Sequence, residues 1–339
     1  MAFPVAALTD IIATTIQSRT GIVADNVTSN NALLARLKQR GNIKTFSGGN
    51  SILQELSFSS NGNAGYYSGY EVLPIAAQDV ISSAEYQIKQ AACPVTISGL
   101  EQLQNAGKEQ IIDLLDARIS VAESSMANLI SSGIYSDGAT PSTKIIDGLA
   151  KQVIKVPTNT VGGIDRSTWL FWKNQVFAVT AGLGSAVSAS NVQTAFNRLW
   201  AKLVRGSDRP DLIIVDNAYW GFYMQSLQAI QRFSGTDDAK LGFVSVKYMD
   251  ADVVLDGGMQ INWTSSGAAG SLQNSTPASS AYFLNTKYLH YRPHASRNMV
   301  PLSPGQRYSV NQDAAVQILA WAGNLTSSGL QFQGLLFDS

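Results

Sequence analysis

Apolar residues recur along this chain with two different periods, and the change of period marks its parts. Across residues 45–99 the period is close to two. Leu56 and Phe58 alternate with polar neighbours in "SILQELSFSS", and "VISSAEYQIKQAACPVTISG" at 80–99 is another extended run. Between them, "NGNAG" at 61–65 is a turn signal, because Asn and Gly tolerate positive φ. It is followed by "YYSGYEVLP", which carries Tyr66, Tyr67 and Tyr70. The pattern predicts a strand, a turn, a tyrosine-bearing strand and a third extended run. Together they make a long β-ribbon with no evident core of its own.

From residue 98 the period lengthens to that of a helix. "SGLE" at 98–101 reads as a capping box, Ser98 and Glu101 each bonding the other's backbone N–H. Ile111, Leu115, Ile119, Ala122, Met126 and Leu129 then recur at steps of three and four, with Asp113, Asp116, Arg118 and Glu123 mostly off the stripe and Gly133 as a stop. A helix of about 30 residues is about 45 Å long, a rod able to brace a wide, thin molecule. Two shorter helical patterns precede the ribbon, near Leu8–Ile16 and Ala32–Leu37, the second stopping at Gly41. Residues 161–279 form a second compact region. There a capping-box pattern at Ser190–Gln193 opens a helix with Val192, Phe196, Leu199, Trp200 and Leu203 on one side. "DLIIVD" at 211–216 reads as a buried strand whose Asp216 caps a helix bearing Trp220, Tyr223, Leu227 and Ile230; "FVSVKY" and "DVVLD" are further strands. A polar loop fills 264–280, and strands return at 288–294, 314–323 and 330–337. The class is α+β.

Composition narrows the function. Only 14% of the 339 residues are charged, against about 25% in a typical domain. A neutral polar surface suits broad contact with other proteins, since fewer charges lose water there. Lys plus Arg equals Asp plus Glu at 24 each, without the basic excess of a protein that grips nucleic acid. The balance is uneven along the chain. Residues 1–44 carry Arg19, Arg36, Lys38, Arg40 and Lys44 against Asp10 and Asp25, while 45–88 carry Glu55, Glu71, Asp79 and Glu85 and no Lys or Arg. Basic arm and acidic ribbon are therefore expected to meet across subunits, adding about 0–1 kcal/mol per exposed pair. Cys93 is the single cysteine, so no internal disulfide forms, which fits a reducing compartment. No apolar run reaches the roughly 18 residues of a membrane span. "MAFPVAALTD" lacks a basic leader and reads as mature sequence, so the chain is expected to be soluble and to remain in the cell that makes it.

Candidate chemistry is sparse. His290 and His294 have an H-x-x-x-H spacing, but Pro293 and an extended flank deny them a shared helix face. No phosphate loop, dinucleotide fingerprint or nucleophile elbow is present; "FSGGNS" at 46–51 reads as a hinge. Cys93 has no His beside it and reads as an inert packed thiol. Asp237–Asp238 read as a solvated turn, and Asp113 with Asp116 as a solvated helix face. Tyr66, Tyr67 and Tyr70 could stack on single-stranded nucleic acid, but no cation accompanies them. Tyr is also favoured at protein interfaces. No catalytic, cofactor-binding or metal-ligating residue is assigned. The candidate site is an inter-subunit surface: Leu56, Phe58, Asn61, Gly62, Asn63, Tyr66, Tyr67, Tyr70 and Glu71.

Three stretches, "GGNSILQELSFSSNGNAGYYSGYEVLP", "VTISGLEQLQNAGKEQIIDLLDARI" and "WAGNLTSSGLQFQGLL", taken in order, resemble the major capsid proteins of tailed bacteriophages, the Hong Kong 97-like family. The resemblance implies an N-terminal arm at 1–45, an extended loop at 46–98, a peripheral domain with its spine helix at 99–160, an axial domain at 161–279 and returning peripheral strands at 280–339. It implies hexamers and pentamers forming an icosahedral head around double-stranded DNA, assembled in the bacterial cytoplasm, with portal and scaffold or decoration proteins as partners. A ribbon lacking a core would then find cover on the next subunit, since isolated hairpins are marginal in water. Some relatives weld the shell through a Lys–Asn isopeptide bond from a loop lysine; residues 45–88 hold no lysine, so no such bond is expected. An encapsulin-like cellular nanocompartment of the same fold is the nearest rival. An enzyme with an uncharted site and an adhesive surface protein are more distant ones.

Overall fold

The computed structural model describes residues 31–98, 108–140, 142–228, 245–256, 279–302, 307–309 and 312–338. The described residues open with helix α1 (Ala32–Gln39), whose N-terminus is capped by the Asn31 side chain accepting from Leu33 N and Leu34 N. Gly41 follows with φ +71°, the left-handed stop that the basic "KQRG" ending predicts. Residues 42–46 then run alongside a later strand, Lys44 N donating to Tyr291 O and Phe46 N to Pro293 O. Residues 31–46 are thus docked on the body. The predicted helix at 8–16 lies outside the described residues.

A six-stranded mixed sheet forms the centre, in the order β6 (Gln175–Ala178), β14 (Gly334–Phe337), β10 (Ser280–Leu284), β7 (Leu212–Val215), β9 (Ala251–Leu255), β8 (Ser245–Tyr248). β6–β14 and β7–β9 are parallel and the other pairs antiparallel. "LIIV" has no polar face because β7 has no solvent face: all four residues are buried. Leu212 and Ile214 enter one core, Ile213 and Val215 the other. Two short helices, α3 (Leu149–Gln152) and α4 (Val179–Leu183), precede α5 (Val192–Leu203) and α6 (Asn217–Gln228), and α5 and α6 close the second core, with Phe196 ringed by Tyr219, Tyr223, Tyr248 and Phe283 at centroid distances of 5.1–6.5 Å. The apolar stripe predicted for α5 is buried throughout. Its capping box does not form. Asn191 is the N-cap, and the Ser190 hydroxyl pairs with Ser188 instead. Asp216 does cap α6, its Oδ1 accepting from Tyr219 N at 2.8 Å.

The first core is shared with a four-stranded antiparallel sheet, with α1, with a long helix and with Leu149 of the short helix α3. β13 (Gln312–Ser327) is its axis. It pairs with β11 (Leu289–Pro301) and then β12 (Arg307–Ser309), and with β3 (Lys89–Ser98). Leu319 pairs with both Pro301 and Cys93, so β3 holds the opposite edge from β11. Helix α2 (Lys108–Ile134) packs on β3 and buries Ile119, Ala122, Met126 and Ile130 in this core. Of the capping box at 98–101 only Ser98 is described, as the end of β3; the Asp237–Asp238 turn and residues 264–278 of the polar loop expected at 264–280 lie outside the described residues, and Ser280 opens β10. Within residues 280–338, β11, β12 and β13 join the four-stranded sheet, and β10 and β14 lie inside the six-stranded one.

Candidate inter-subunit surface

The ribbon is a two-stranded antiparallel ladder, β1 (Ser51–Ser57) against β2 (Ile81–Gln87), in continuous register from Ser51↔Gln87 to Ser57↔Ile81. The tyrosine run forms no strand. β1's partner comes from the first half of the 80–99 run, and the second half is β3, which leaves for the four-stranded sheet. The physical reason lies at the ribbon's root. Ile52 and Leu56 on β1 match Ala84 and Tyr86 on β2, and all four are buried against Val161, Trp172 and Leu330. Val161 belongs to the small hairpin of β4 (Thr160–Val161) and β5 (Ile164–Asp165). The tyrosine run offers no such face. The expectation of a ribbon without a core therefore fails at the root and holds only beyond it.

Polar contacts fasten the root further. Gln54 Oε1 accepts from Arg292 Nη1 at 3.2 Å and from Thr326 Oγ1 at 3.3 Å. Tyr86, its phenol pushed up in pKa by burial, accepts from Ser327 N at 3.2 Å. Glu85 N donates to Gly162 O at 2.9 Å. Asn324 Nδ2 donates to Gln87 O at 2.8 Å. Phe58 continues the apolar side as a partly buried ring near Trp169 and Phe171, at centroid distances of 6.2 and 5.9 Å.

Beyond Phe58 the ladder ends. Phe58 N donates to Val80 O at 3.2 Å, and the chain then makes an irregular excursion to Val80. Asn61–Gly62–Asn63 form the turn expected of them, closed by Asn63 N donating to Asn61 Oδ1 at 2.9 Å. Asn63 Nδ2 crosses to Ala76 O at 2.6 Å, which pinches off a lobe of residues 64–75. Within the lobe, Ser68 N donates to Glu71 Oε2 and Glu71 N to Ser68 O. Tyr66, Tyr70, Val72 and Ile75 are more than 90% exposed, and Tyr67 and Leu73 at least half. Monomeric soluble proteins rarely expose apolar side chains in such density without a partner.

Of the nine residues singled out from the sequence, seven stand on the excursion: Asn61, Gly62 and Asn63 at its neck, Tyr66, Tyr67, Tyr70 and Glu71 in its lobe. Phe58 is half-buried at the root. Leu56 is a correction: at 4% exposure it is covered by its own chain and offers nothing to a neighbour. The reading missed Val72, Leu73 and Ile75, although "VLPI" is an apolar run with no alternation to bury one face. It also missed the exposed Trp169 and Leu170 beside the root.

The charge reading changes too. Arg36 reaches Asp211 at 3.2 Å and Asp252 at 3.0 Å, and Arg40 reaches Asp211 at 3.2 Å. Two of the arm's cations are thus engaged within the chain and do not supply the ribbon's counter-charge. Lys89 donates from Nζ to Thr143 O at 2.6 Å and is buried. Burial raises the Cys93 thiol pKa, disfavouring the thiolate. Both histidines lie on extended β11, as expected. His290 is buried, and His294 Nδ1 accepts from Ser296 N at 3.1 Å. Among the described residues no three His, Cys, Asp or Glu side chains converge as a metal site, and no helix is long and apolar enough to cross a membrane.

No protein-family model matches the sequence, and no curated protein does. Solved structures match across most of the chain. The capsid asymmetric unit of cyanophage A-1(L) superposes with a TM-score of 0.62 at 16% identity, covering 88% of this chain and 92% of that one. The capsid of a native GTA particle gives 0.57 at 13% identity, covering 92% and 91%. The SrpI encapsulin of Synechococcus elongatus gives 0.51 at 9% identity, covering 89% and 86%. Ribbon, long helix, mixed central sheet and antiparallel second sheet are together the Hong Kong 97-like fold of phage capsid subunits, and this chain has that fold.

Proposed function

We propose that this chain is the major capsid protein of a tailed bacteriophage, a structural subunit that self-assembles into hexamers and pentamers of an icosahedral head enclosing double-stranded DNA. The fold supports it, since its likenesses over 88% and 92% of the chain are phage and GTA capsids. The observation that carries the reading is the lobe at 64–75, a cluster of exposed aromatic and aliphatic side chains on a ribbon whose root alone is covered by its own chain. On this reading the arm, loop, peripheral and axial segments take the approximate bounds given above. DNA is enclosed without sequence-specific contacts, portal and scaffold or decoration proteins complete the head, and the subunit has no catalytic role. With no lysine in 45–88, subunits are joined without a loop isopeptide bond.

Electron microscopy of the purified chain tests this. Closed shells of uniform size, carrying nuclease-protected DNA when recovered from infected or prophage-bearing cells, are expected. Shells filled with protein cargo and free of DNA would point to the nanocompartment reading. A chain that stays monomeric at high concentration would overturn both.

A further inference from the structure

Between Asp165 and Asp208 the chain carries Arg166, Lys173, Arg198, Lys202 and Arg205 and not one carboxylate. Arg166 is fully buried. Arg198, Lys202 and Arg205 are exposed and follow one another at steps of four and three, a single stripe along α5 and just past its end. Each is held from below. Arg198 donates from Nη1 to Gly182 O at 2.7 Å and lies over the Phe177 ring, 5.9 Å from its centroid. Lys202 donates from Nζ to Val176 O at 3.3 Å and lies 5.5 Å from the same centroid. Arg205 donates from Nη1 to Gln331 Oε1 at 2.9 Å and lies 5.9 Å from the Phe332 centroid. Among the described residues none of the three has a carboxylate partner, whereas Arg36, Arg40, Lys151, Arg209 and Lys287 each have one within 3.2 Å. Carboxylates on adjoining segments are engaged elsewhere: Asp338 accepts from Thr180 Oγ1 and Val187 N, and Asp208 from Lys287 Nζ and Tyr288 OH.

Each of these cations keeps unused N–H donors and an uncompensated charge, in a position already fixed by an oxygen and a ring. Such a row loses little side-chain freedom on meeting an anion, and its spacing suits a chain of anions rather than one. We propose that the row is a contact for the phosphate backbone of the double-stranded DNA enclosed by the shell, made without regard to base sequence. The inference rests on the shell-subunit reading. It goes further by naming the groups that meet the DNA and by placing the exposed face of α5 on the inner side of the shell. Two of the three cations are Arg, whose planar fork grips a phosphate through two bonds. Thr194, one turn before Arg198, adds an exposed hydroxyl. The acidic ribbon of another copy fits the row less well: Glu71 already accepts from Ser68 N, and Glu55 and Glu85 lie in the ladder at the fastened root. Three phosphate contacts make each site weak and dependent on salt, and the shell repeats it in every subunit.

Fluorescence anisotropy tests it, with the full chain kept below the concentration at which it assembles and two labelled duplexes of unrelated sequence. Both duplexes are expected to bind equally. Affinity should fall about fortyfold between about 50 and 200 mM salt, the dependence of three phosphate contacts. Arg198→Gln, Lys202→Gln and Arg205→Gln should each reduce that fall to about twelvefold, with the melting temperature unchanged. Lys144→Gln, which removes an exposed cation outside the row, should leave it at about fortyfold. Variants that keep the parent's salt dependence, or a parent that assembles into shells yet binds neither duplex, would overturn the contact and leave the shell reading standing. Polyglutamate that displaces the duplex at equal charge concentration would assign the row to an acidic protein segment and overturn the contact likewise. A parent chain that never forms shells would overturn both.

Discussion

Single buried polar residues decide how firmly the ribbon is held. Asn324 is fully buried and uses its whole amide. Its Oδ1 accepts from Asp147 N and Leu325 N, and its Nδ2 donates to Gln87 O and Asp147 Oδ2, all at 2.8–3.0 Å. Asn324→Ala would leave those groups buried and unpaired and is expected to cost about 2–4 kcal/mol, measurable as a lower denaturant midpoint with unchanged slope. His290 sets a pH dependence. It is buried with Nδ1 unpartnered, and burial, Lys44 and Arg292 push its pKa down to about 4. An unfolded histidine titrates near pH 6.5. Between those values the unfolded chain binds more protons, so this contribution to stability is full above about pH 6.5 and falls as pH drops toward 4. From pH 7 to 4.5 the parent should therefore lose more stability than His290→Gln, by something on the order of 2 kcal/mol. Equal losses would show that His290 is not held neutral. Neither residue was legible as structural from sequence, because what buries them comes from segments far away in the chain.

Elements with a full periodic face were readable, and those chosen by a distant partner were not. The stripe of α5, the continuous apolar run of β7 and the strands of the C-terminal segment each carry their own signal. The ribbon does not. Two extended runs compete to pair with β1, and the choice is made by Val161, Trp172 and Leu330, which no local pattern links to residues 51–87. Gly162 completes that choice. It sits at φ +60°, and a Cβ there would lie 2.8 Å from Ala84 Cβ and 3.2 Å from the Tyr86 ring. Gly162→Ala is expected to cost roughly 1–3 kcal/mol and to loosen the root, read as faster limited proteolysis between residues 51 and 87. Unchanged cleavage would mean that the β4–β5 turn does not hold the ribbon. The capping box at 190–193 failed for a smaller reason: Asn191 starts the helix one residue later, and the Ser190 hydroxyl is occupied by Ser188.

At the scale of the molecule, the sequence located the sticky segment but not its limits. The density of tyrosine and the absence of cations marked residues 61–71. Only the fold shows that Leu56 belongs to the interior and that Val72, Leu73 and Ile75 extend the exposed lobe. The chain's net charge of zero hides a division between an acidic ribbon and a body in which Arg36 and Arg40 are already paired. On the shell-subunit reading, association through the ribbon is expected to depend on salt, since exposed charges are screened beyond about 8–10 Å at ordinary ionic strength.

The lobe can be removed without touching the root, because Asn63 and Ala76 are already joined at its neck by a 2.6 Å hydrogen bond. Sedimentation velocity of the parent chain beside one with residues 64–75 replaced by a short Gly-Ser link is the most direct measurement. The parent should sediment as large closed particles, and the shortened chain, with an unchanged melting temperature, as free subunits. Particles from the shortened chain as readily as from the parent would contradict the claim that another copy supplies the ribbon's cover.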